Sequence, residues 1–370
     1  MTKSDRRRWG GLAVLSLAVA IIIIDTTLIN VSLKTIVEDL HTNLHALQWV
    51  ITGYALTLTA FMITGGRMGD LFGRKRMFLT GAGIFAVGSV VAASSGSVTQ
   101  LIVGAAVIEG LGAALMLPAT SSLLLSNFQG RERAIAFGVW GGVAGAAASI
   151  GPLLGGYLTT YYSWRWGYLT NVVIVALVML FSWLVKESKD KTVRPSVDYV
   201  GIGLSVVGLA SIVYGIVESS AYGWIKAKAT SEVFGQTVNL GDYSFVPFAI
   251  GFGILMLIIF LLWEAIVEYR EKTPLVSLHL FGNPRYVAGV VTVAIVALGQ
   301  FGALFSLPVF LQAVRGFDAF HNGLALLPFS LSVLVAAPLA GAIGSRRISP
   351  KYLIVAGLII ELAGMLYLRH

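Results

Sequence analysis

Three acidic residues fall near the middle of long apolar stretches of this sequence. They are Asp25, Glu109 and Glu361. An ionisable group at the centre of a lipid bilayer costs roughly 2.5–3.5 kcal/mol on insertion scales, so each such residue is a candidate for function. Burial disfavours the charged form of a carboxyl group, which brings its protonation within reach of the working pH. The chemistry that these positions indicate is reversible protonation inside a membrane.

Aromatic side chains in the same apolar stretches form a second set of candidates. Aromatic faces suit flat cations and apolar drugs. For each ring taken singly, ordinary packing or contact with lipid remains the alternative. The candidates for lining a substrate site are Tyr54, Trp140, Phe301 and Phe305.

The composition indicates that helices crossing a membrane must position these residues. Of the 370 residues, 56% are hydrophobic and only 12% are charged, whereas a soluble domain carries about 25% charge. The sequence contains no cysteine, which excludes disulfides, Cys-ligated zinc and iron–sulfur clusters. A membrane helix needs about 20 apolar residues. Eleven stretches meet this length: 9–33, 47–68, 77–96, 99–124, 134–158, 165–185, 198–220, 244–268, 286–311, 321–344 and 352–368.

The distribution of basic residues predicts the orientation of these spans. With a cytoplasmic N-terminus, 20 of the 26 Lys and Arg residues fall in the cytoplasmic segments, as the positive-inside rule requires. The excess positive charge therefore indicates topology and contact with anionic lipid, and not a nucleic-acid surface. Three further acids lie near span ends, where we expect their side chains to reach water. They are Glu218, Glu264 and Glu268.

Small residues are concentrated in the fifth span, 134–158. Such residues let helix backbones approach closely in lipid, and Pro152 interrupts the hydrogen-bond ladder of this helix. The pattern favours either simple tight packing or packing that serves a moving interface. The run that ends the span contains Gly151, Pro152, Gly155 and Gly156.

The loop after the second span combines glycines, one acid and a basic cluster. Residues 65–76 read Gly-Gly-Arg-Met-Gly-Asp-Leu-Phe-Gly-Arg-Lys-Arg. A topogenic loop would explain the cations but not the acid or the glycine spacing. The spacing of Gly66, Asp70, Gly73, Arg74 and Lys75 resembles the loop motif of the major facilitator superfamily.

Further motifs extend this resemblance across almost the whole chain. Residues 25–31 and 48–54 resemble the first and second helices of the 14-span drug:proton antiporter branch of that superfamily. The run 151–156 resembles its fifth-helix antiporter motif, and 163–166 with Asn171 resembles the entry to its sixth helix. Residues 307–312, Gly323 and 327–328 resemble its ninth and tenth helices. None of these motifs specifies a substrate.

The resemblance implies a fold, a mechanism and an order among the candidates. The fold class is an all-α polytopic membrane protein with a major-facilitator-like helical bundle and eleven transmembrane helices. In the family the first, second, fourth and fifth helices line the central cavity, which favours Asp25 and Glu109 over Glu361. The implied mechanism is alternating access between two bundles. The loop motif would act there as a conformational latch together with the fifth-helix motif.

Two departures from the family pattern stand out. The family's fourth helix carries an Arg linked to proton coupling, and Ala106 occupies that position here. In the second copy of the loop motif, Ser345 stands where an acid is expected. The resemblance to the 14-span branch implies three further helices, so the chain as given reads as a truncated member.

The predicted domains are a six-helix bundle over 1–197, two inserted helices with an extracellular loop over 198–285, and a partial second bundle over 286–370. The predicted function is export of drugs or other lipophilic compounds by proton antiport. The alternatives are a narrow exporter of an endogenous metabolite or antibiotic, and a truncated membrane protein that does not transport. We predict no enzyme activity, cofactor, metal or nucleic acid. The expected partners are a small lipophilic or cationic substrate, protons and membrane lipid, in a cell membrane with the N-terminus cytoplasmic.

Overall fold

The computed structural model describes residues 3–188, 198–228, 231–233, 236–238, 240–270, 274–317, 319–344 and 350–367. Long helices dominate these residues. Each of the eleven predicted spans corresponds to one helix, so the all-α polytopic fold is confirmed. The helices are α1 Lys3–Asp39, α2 Leu44–Phe72, α3 Arg74–Ala93, α4 Val98–Asn127, α5 Gly130–Tyr161, α6 Arg165–Leu180, α7 Tyr199–Tyr222, α8 Val246–Tyr269, α9 Pro284–Ala313, α10 Ala319–Gly344 and α11 Pro350–Tyr367.

Seven of the described helices are long and apolar enough to cross a membrane by length and composition, and shorter apolar helices lie within α6, α9 and α10. Several helices extend beyond the predicted spans, because polar residues continue the helical backbone past the apolar stretch, whereas α3 ends at Ala93 and α6 at Leu180, before the predicted ends. α1 is the clearest case, since it begins six residues before the span predicted to start at 9 and ends six residues after 33.

Two features of the fold were not predicted. The segment Ile102–Glu109 of α4 is a π-helix, a form that occurs frequently at functional sites. The connection between α7 and α8 contains a short antiparallel hairpin, β1 Ser231–Val233 with β2 Gln236–Val238. Its strands carry valine and threonine, which suit a pleated backbone.

The chain divides into two compact units. The first contains Met1–His41, Thr120–Ser188 and Asn283–His370, and the second contains Thr42–Ala119 and Lys189–Gly282. In the first unit α5 packs against both α1 and α10, and α1 also packs against α6. In the second unit α4 packs against α2 and α3, and α7 packs against α8 and α2. The division of the chain at 197 and 285 into functional domains stays a prediction.

Polar contacts join the C-terminal end of α1 to the start of α6. Arg165 Nη1 lies 2.5 Å from Asp39 Oδ2, and Trp164 Nε1 donates to the same oxygen at 3.1 Å. These two hydrogen bonds, the one from Arg165 first, hold the pKa of Asp39 below its usual value. Ser32 and Thr159 add a hydrogen bond of 2.7 Å between α1 and α5. Together these contacts fix the three helices that surround Asp25.

Candidate functional site

Asp25 lies in the middle of α1 and faces α6. Its side chain is 2% exposed, and Asn171 on α6 is 1% exposed. Asn171 Nδ2 donates to Asp25 Oδ1 at 2.6 Å, and a hydrogen bond to a charged acceptor is strong in a low-dielectric site. Asn171 Oδ1 is buried and has no hydrogen-bond partner among the described residues. The amide can therefore donate to a carboxylate and, after rotation, accept from a protonated carboxyl.

The glycines of the fifth-helix motif bring α5 against the turn of α1 that carries Asp25. A Cβ at Gly151 would collide with Thr27 Oγ1, and a Cβ at Gly155 would lie 2.9 Å from Leu28 Cγ. Any larger side chain at either position would push the two helices apart. Pro152 and Gly156 are buried in the same stretch of α5. The motif thus determines how closely α5 approaches the Asp25 turn.

Glycines also allow a close approach at the other end of α5, where this helix packs against α10. A Cβ at Gly138 would lie 2.6 Å from the carbonyl oxygen of Ala337, and one at Gly142 would lie 3.2 Å from Leu334 Cα. Glycines therefore set the spacing of α5 from two different partners, α1 near one end and α10 near the other.

Glu109 lies at the end of the π-helical segment of α4 and faces α3. Its side chain is fully buried and accepts a hydrogen bond from Ser89 Oγ. Gly88 allows this approach, because a Cβ there would lie 2.6 Å from the Glu109 backbone nitrogen. Gly104 on α4 also allows a close approach to α3, because a Cβ there would lie 2.7 Å from the backbone nitrogen of Ala92. The carboxyl group therefore sits in the contact between α3 and α4.

The packing of α2 on α4 explains why Ala106 replaces the arginine of the family pattern. Ala106 is fully buried, and a Cβ at Gly53 would lie 3.0 Å from the Ala106 Cβ. In the next turn, a Cβ at Gly110 would lie 2.8 Å from Thr57 Cβ. Two helices this close leave no room for an arginine side chain at position 106.

The aromatic candidates are distributed over both units. Tyr54 is 3% exposed on α2 in the second unit. Trp140 is half-buried on α5 in the first unit, where its ring packs edge-on against Phe137 at 6.1 Å between centroids. Phe301 and Phe305 belong to α9, and their side chains lie outside the described residues. The lining role of all four rings stays a prediction.

The loop motif forms a tight connection between α2 and α3. Gly73 has a φ of 109°, a conformation that glycine adopts without strain. Across this turn Arg74 donates to Asp70 Oδ1 from Nη2 at 3.0 Å and from Nε at 3.2 Å. Gly66 packs on α4 at ordinary van der Waals distance, and Lys75 follows in the first turn of α3. The acid and the base of the motif thus stabilise the turn itself.

Sequence reasoning named Asn171 as belonging to a motif but missed its role as the partner of Asp25. The available signal was an amide inside an apolar helix, because a buried polar group needs a partner. Within the described residues of the chain, no group of three His, Asp or Glu side chains is placed to hold a metal ion. The site that the structure builds is a buried carboxyl group that accepts a hydrogen bond from a buried amide.

These features define a polytopic helical membrane protein with a buried acid in its first helix. The chain matches the Major Facilitator Superfamily over residues 15–370 and belongs to that family of transporters. It is 31% identical to the tetracenomycin C resistance and export protein of Streptomyces glaucescens, over 97% of this chain and 63% of the relative. It is 32% identical to the puromycin resistance protein pur8 of Streptomyces alboniger, over 99% and 68%. It is 30% identical to the multidrug resistance protein Stp of Mycobacterium tuberculosis, over 95% and 62%. The chain thus spans 62–68% of the length of these relatives.

Proposed function

We propose that the protein exports drugs or other lipophilic compounds by proton antiport, through alternating access. The match to the superfamily across residues 15–370 carries the proposal, and relatives named for drug resistance and export support the substrate class. The proposed location is the cell membrane with the N-terminus cytoplasmic, because that orientation obeys the positive-inside rule. Membership of the 14-span branch belongs to the same proposal.

Asp25 is the proposed proton carrier. A carboxyl group that exchanges a proton during transport needs a partner in both protonation states, since an unsatisfied buried polar group costs about 1–3 kcal/mol. Asn171 offers a donor and an acceptor on one side chain. Glu109 is the second proposed protonatable group, with Ser89 as a donor to its carboxylate.

The remaining motifs are proposed to serve the conformational change and the substrate. Close packing through Gly151 and Gly155 lets α1 move with α5 as one body when the carrier changes state. The Asp70–Arg74 pair and Gly73 keep the α2–α3 connection rigid during that movement. The proposed substrate-lining rings are Tyr54, Trp140, Phe301 and Phe305, which suit flat cationic or apolar compounds.

The test is efflux of a fluorescent lipophilic cation from cells that express the complete reading frame, with and without a proton gradient. Wild-type efflux should depend on the gradient, and Asp25→Asn and Glu109→Gln should each reduce it to the level of empty cells. Gln can still accept from Ser89, so Glu109→Gln should insert normally. Asp242→Asn, the same change at an exposed acid, is the matched control and should retain full efflux. Unchanged efflux in both test variants would exclude these acids as the coupling groups.

A narrower function is the second candidate. Two of the relatives are named for a single antibiotic, tetracenomycin C and puromycin, which favours an exporter of one compound class. A panel of chemically unrelated compounds separates the two functions, because a multidrug exporter lowers the accumulation of several and a narrow exporter of one. Absence of efflux for the whole panel with a correctly inserted protein would favour a membrane protein that does not transport.

A further inference from the structure

Three carboxyl groups lie together where the N-terminal end of α7 meets the C-terminal end of α8. They belong to Asp198, Glu264 and Glu268. Within the described residues, no Lys, Arg or His side chain lies within ion-pair distance of any of them. The prediction that Glu264 reaches water is wrong, because its side chain is fully buried. A buried acid such as Glu264, with no described cation beside it, needs another way to lose its charge.

Asp198 accepts hydrogen bonds from two donors. Its Oδ1 accepts from the backbone nitrogen of Gly201 at 2.9 Å and so caps α7. Trp263 Nε1 on α8 donates to Oδ1 at 3.0 Å and to Oδ2 at 2.8 Å. Every one of these partners stabilises the ionised form of Asp198.

One carboxyl oxygen of Glu264 has hydrogen-bond donors among the described residues, and the other has none. Its Oε2 accepts from the backbone nitrogens of Leu275 at 2.7 Å and Val276 at 3.2 Å. Its Oε1 is buried without a hydrogen-bond donor among the described residues. This oxygen faces Asp198, because Glu264 Oε1 and Asp198 Oδ2 each lie 2.6 Å from the point where a Cβ of Gly201 would be. The missing side chain of Gly201 provides the space in which the two carboxyl groups meet.

Two carboxylates that face each other repel, and a single proton held between them relieves this repulsion. The donors around Asp198 assign the proton to Glu264. We propose that Asp198 and Glu264 form a proton-binding site, in which Glu264 Oε1 carries a proton taken from water and donates it in a hydrogen bond to Asp198 Oδ2. Release of that proton returns it to water and leaves two negative charges in contact. The site lies in the second unit, whereas Asp25 lies in the first.

The proton has a structural consequence for the segment 275–278. Glu264 holds the backbone of Leu275 and Val276, while Glu268 accepts from Ser277 Oγ at 2.9 Å and from the Leu278 nitrogen at 3.2 Å. Repulsion from Asp198 after proton release would push Glu264 away and loosen this segment, which leads into α9. The pH at this end of α7 and α8 therefore determines how firmly α8 holds the segment 275–278.

Within the described residues, the charged groups on the neighbouring elements make no ion pair with Asp198 or Glu264. They include Glu268 on α8, His279 on the short 3-10 helix Leu278–Gly282, and Arg67 and Asp70 on α2, which packs against α7. His279 is exposed, Asp70 pairs with Arg74, and none of the four is in ion-pair contact with Asp198 or Glu264. No described cation therefore neutralises either carboxyl group of the pair.

The test compares Glu264→Gln, Asp198→Asn and the matched control Glu268→Gln in the full chain. Two measurements are made, the infrared absorption of protonated carboxyl groups at neutral pH and the apparent Tm between pH 5.5 and 8.5. Gln at position 264 reproduces the neutral acid, since its amide nitrogen donates to Asp198 and its oxygen accepts from the segment. We expect Glu264→Gln to lose one protonated-carboxyl band and to stay within about 2 °C of the wild-type Tm at pH 5.5.

The pH dependence gives the second readout. Because the folded pair binds a proton that the unfolded chain releases at these pH values, wild-type Tm should fall as the pH rises, and both test variants should flatten that slope. The double variant should flatten it no further. Glu268→Gln should keep the band and the slope, and it should lower Tm at every pH because a charge-assisted acceptor is lost. An unchanged band and slope in Glu264→Gln and Asp198→Asn would overturn the proposal, as would equal loss of Tm in Glu264→Gln and Glu268→Gln at pH 5.5.

Discussion

Replacement of Gly151 by alanine tests whether glycine packing positions the turn that carries Asp25. The added methyl group would collide with Thr27 Oγ1 and lie 3.0 Å from the carbonyl oxygen of Ile24. Thr27 cannot rotate away without cost, because its hydroxyl group donates to the carbonyl oxygens of Ile23 and Ile24, both at 3.0 Å. The substitution therefore has to separate α5 from α1 or break a local hydrogen bond.

The magnitude follows from two opposing effects. Overpacking a tight contact costs about 1–3 kcal/mol, and alanine gains about 1 kcal/mol over glycine in a helix. The net effect of Gly151→Ala should be a loss of about 1–2 kcal/mol in the free energy of unfolding. Gly141 on the same helix is the matched control, since a Cβ there has no atom within 4 Å. Gly141→Ala should be neutral or stabilising by up to about 1 kcal/mol.

The assay is the apparent Tm in detergent, followed by fluorescence-detected size-exclusion chromatography, with efflux measured in parallel. Thr27→Ala removes the colliding hydroxyl group, so the double variant Gly151→Ala with Thr27→Ala should recover some of the lost Tm. A coupling of about 0.5–3 kcal/mol is typical of side chains in contact. The reasoning is refuted if Gly151→Ala is as stable as Gly141→Ala, or if the double variant loses the sum of the two single losses.

Three further changes have defined outcomes. Asn171→Leu removes a hydrogen bond to a charged group, which is worth about 1.5–3 kcal/mol and is stronger than the bond that the amide can accept from the neutral acid. The midpoint of the pH profile of efflux should therefore move upward, and an unmoved midpoint contradicts the pairing. Arg165 lowers the pKa of Asp39, so the contact stabilises the fold above the unfolded pKa of about 3.9, and this stabilisation is lost as the pH falls from there through the lower pKa of the folded state. The difference in Tm between wild type and Asp39→Asn should therefore shrink below pH about 3.9. A constant difference would argue against the ion pair. Gly73→Ala places a side chain at a φ of 109° and should lower stability by about 1–3 kcal/mol, which thermal unfolding measures against Gly141→Ala.

The helices were predictable because their signal is local. Length and apolar content define a span without reference to its neighbours, and all eleven predicted spans are helices. The loop predicted at 65–76 is shorter than expected, because α2 continues to Phe72 and α3 begins at Arg74, so that only Gly73 separates the two helices. The acid and the base four residues apart stabilise this turn. The π-helical segment of α4, which approaches α3 closely at Gly104, was not predicted.

The partners of the buried acids were not predictable, because they come from distant regions of the chain. Asn171 is 146 residues from Asp25, and no periodicity connects the two. Glu264 was predicted to reach water from its position near a span end, and only the close approach of α7 and α8 at Gly201 turns that acid inward. The replacement of an arginine by Ala106 was visible in the sequence, but its cause, the contact with Gly53, was not.

The distance between Asp25 and Asn171 along the chain has a consequence for biosynthesis. At about 5–20 residues per second, translation makes Asn171 roughly 7–30 s after Asp25. During that interval α1 has been made and α6, which carries Asn171, has not. The strongly apolar segment Asp5–Ile29 of α1, with a mean hydropathy of 2.5, offsets the cost of inserting one acid, roughly 2.5–3.5 kcal/mol. The first helix must therefore enter the membrane before the amide of Asn171 is available to its carboxyl group.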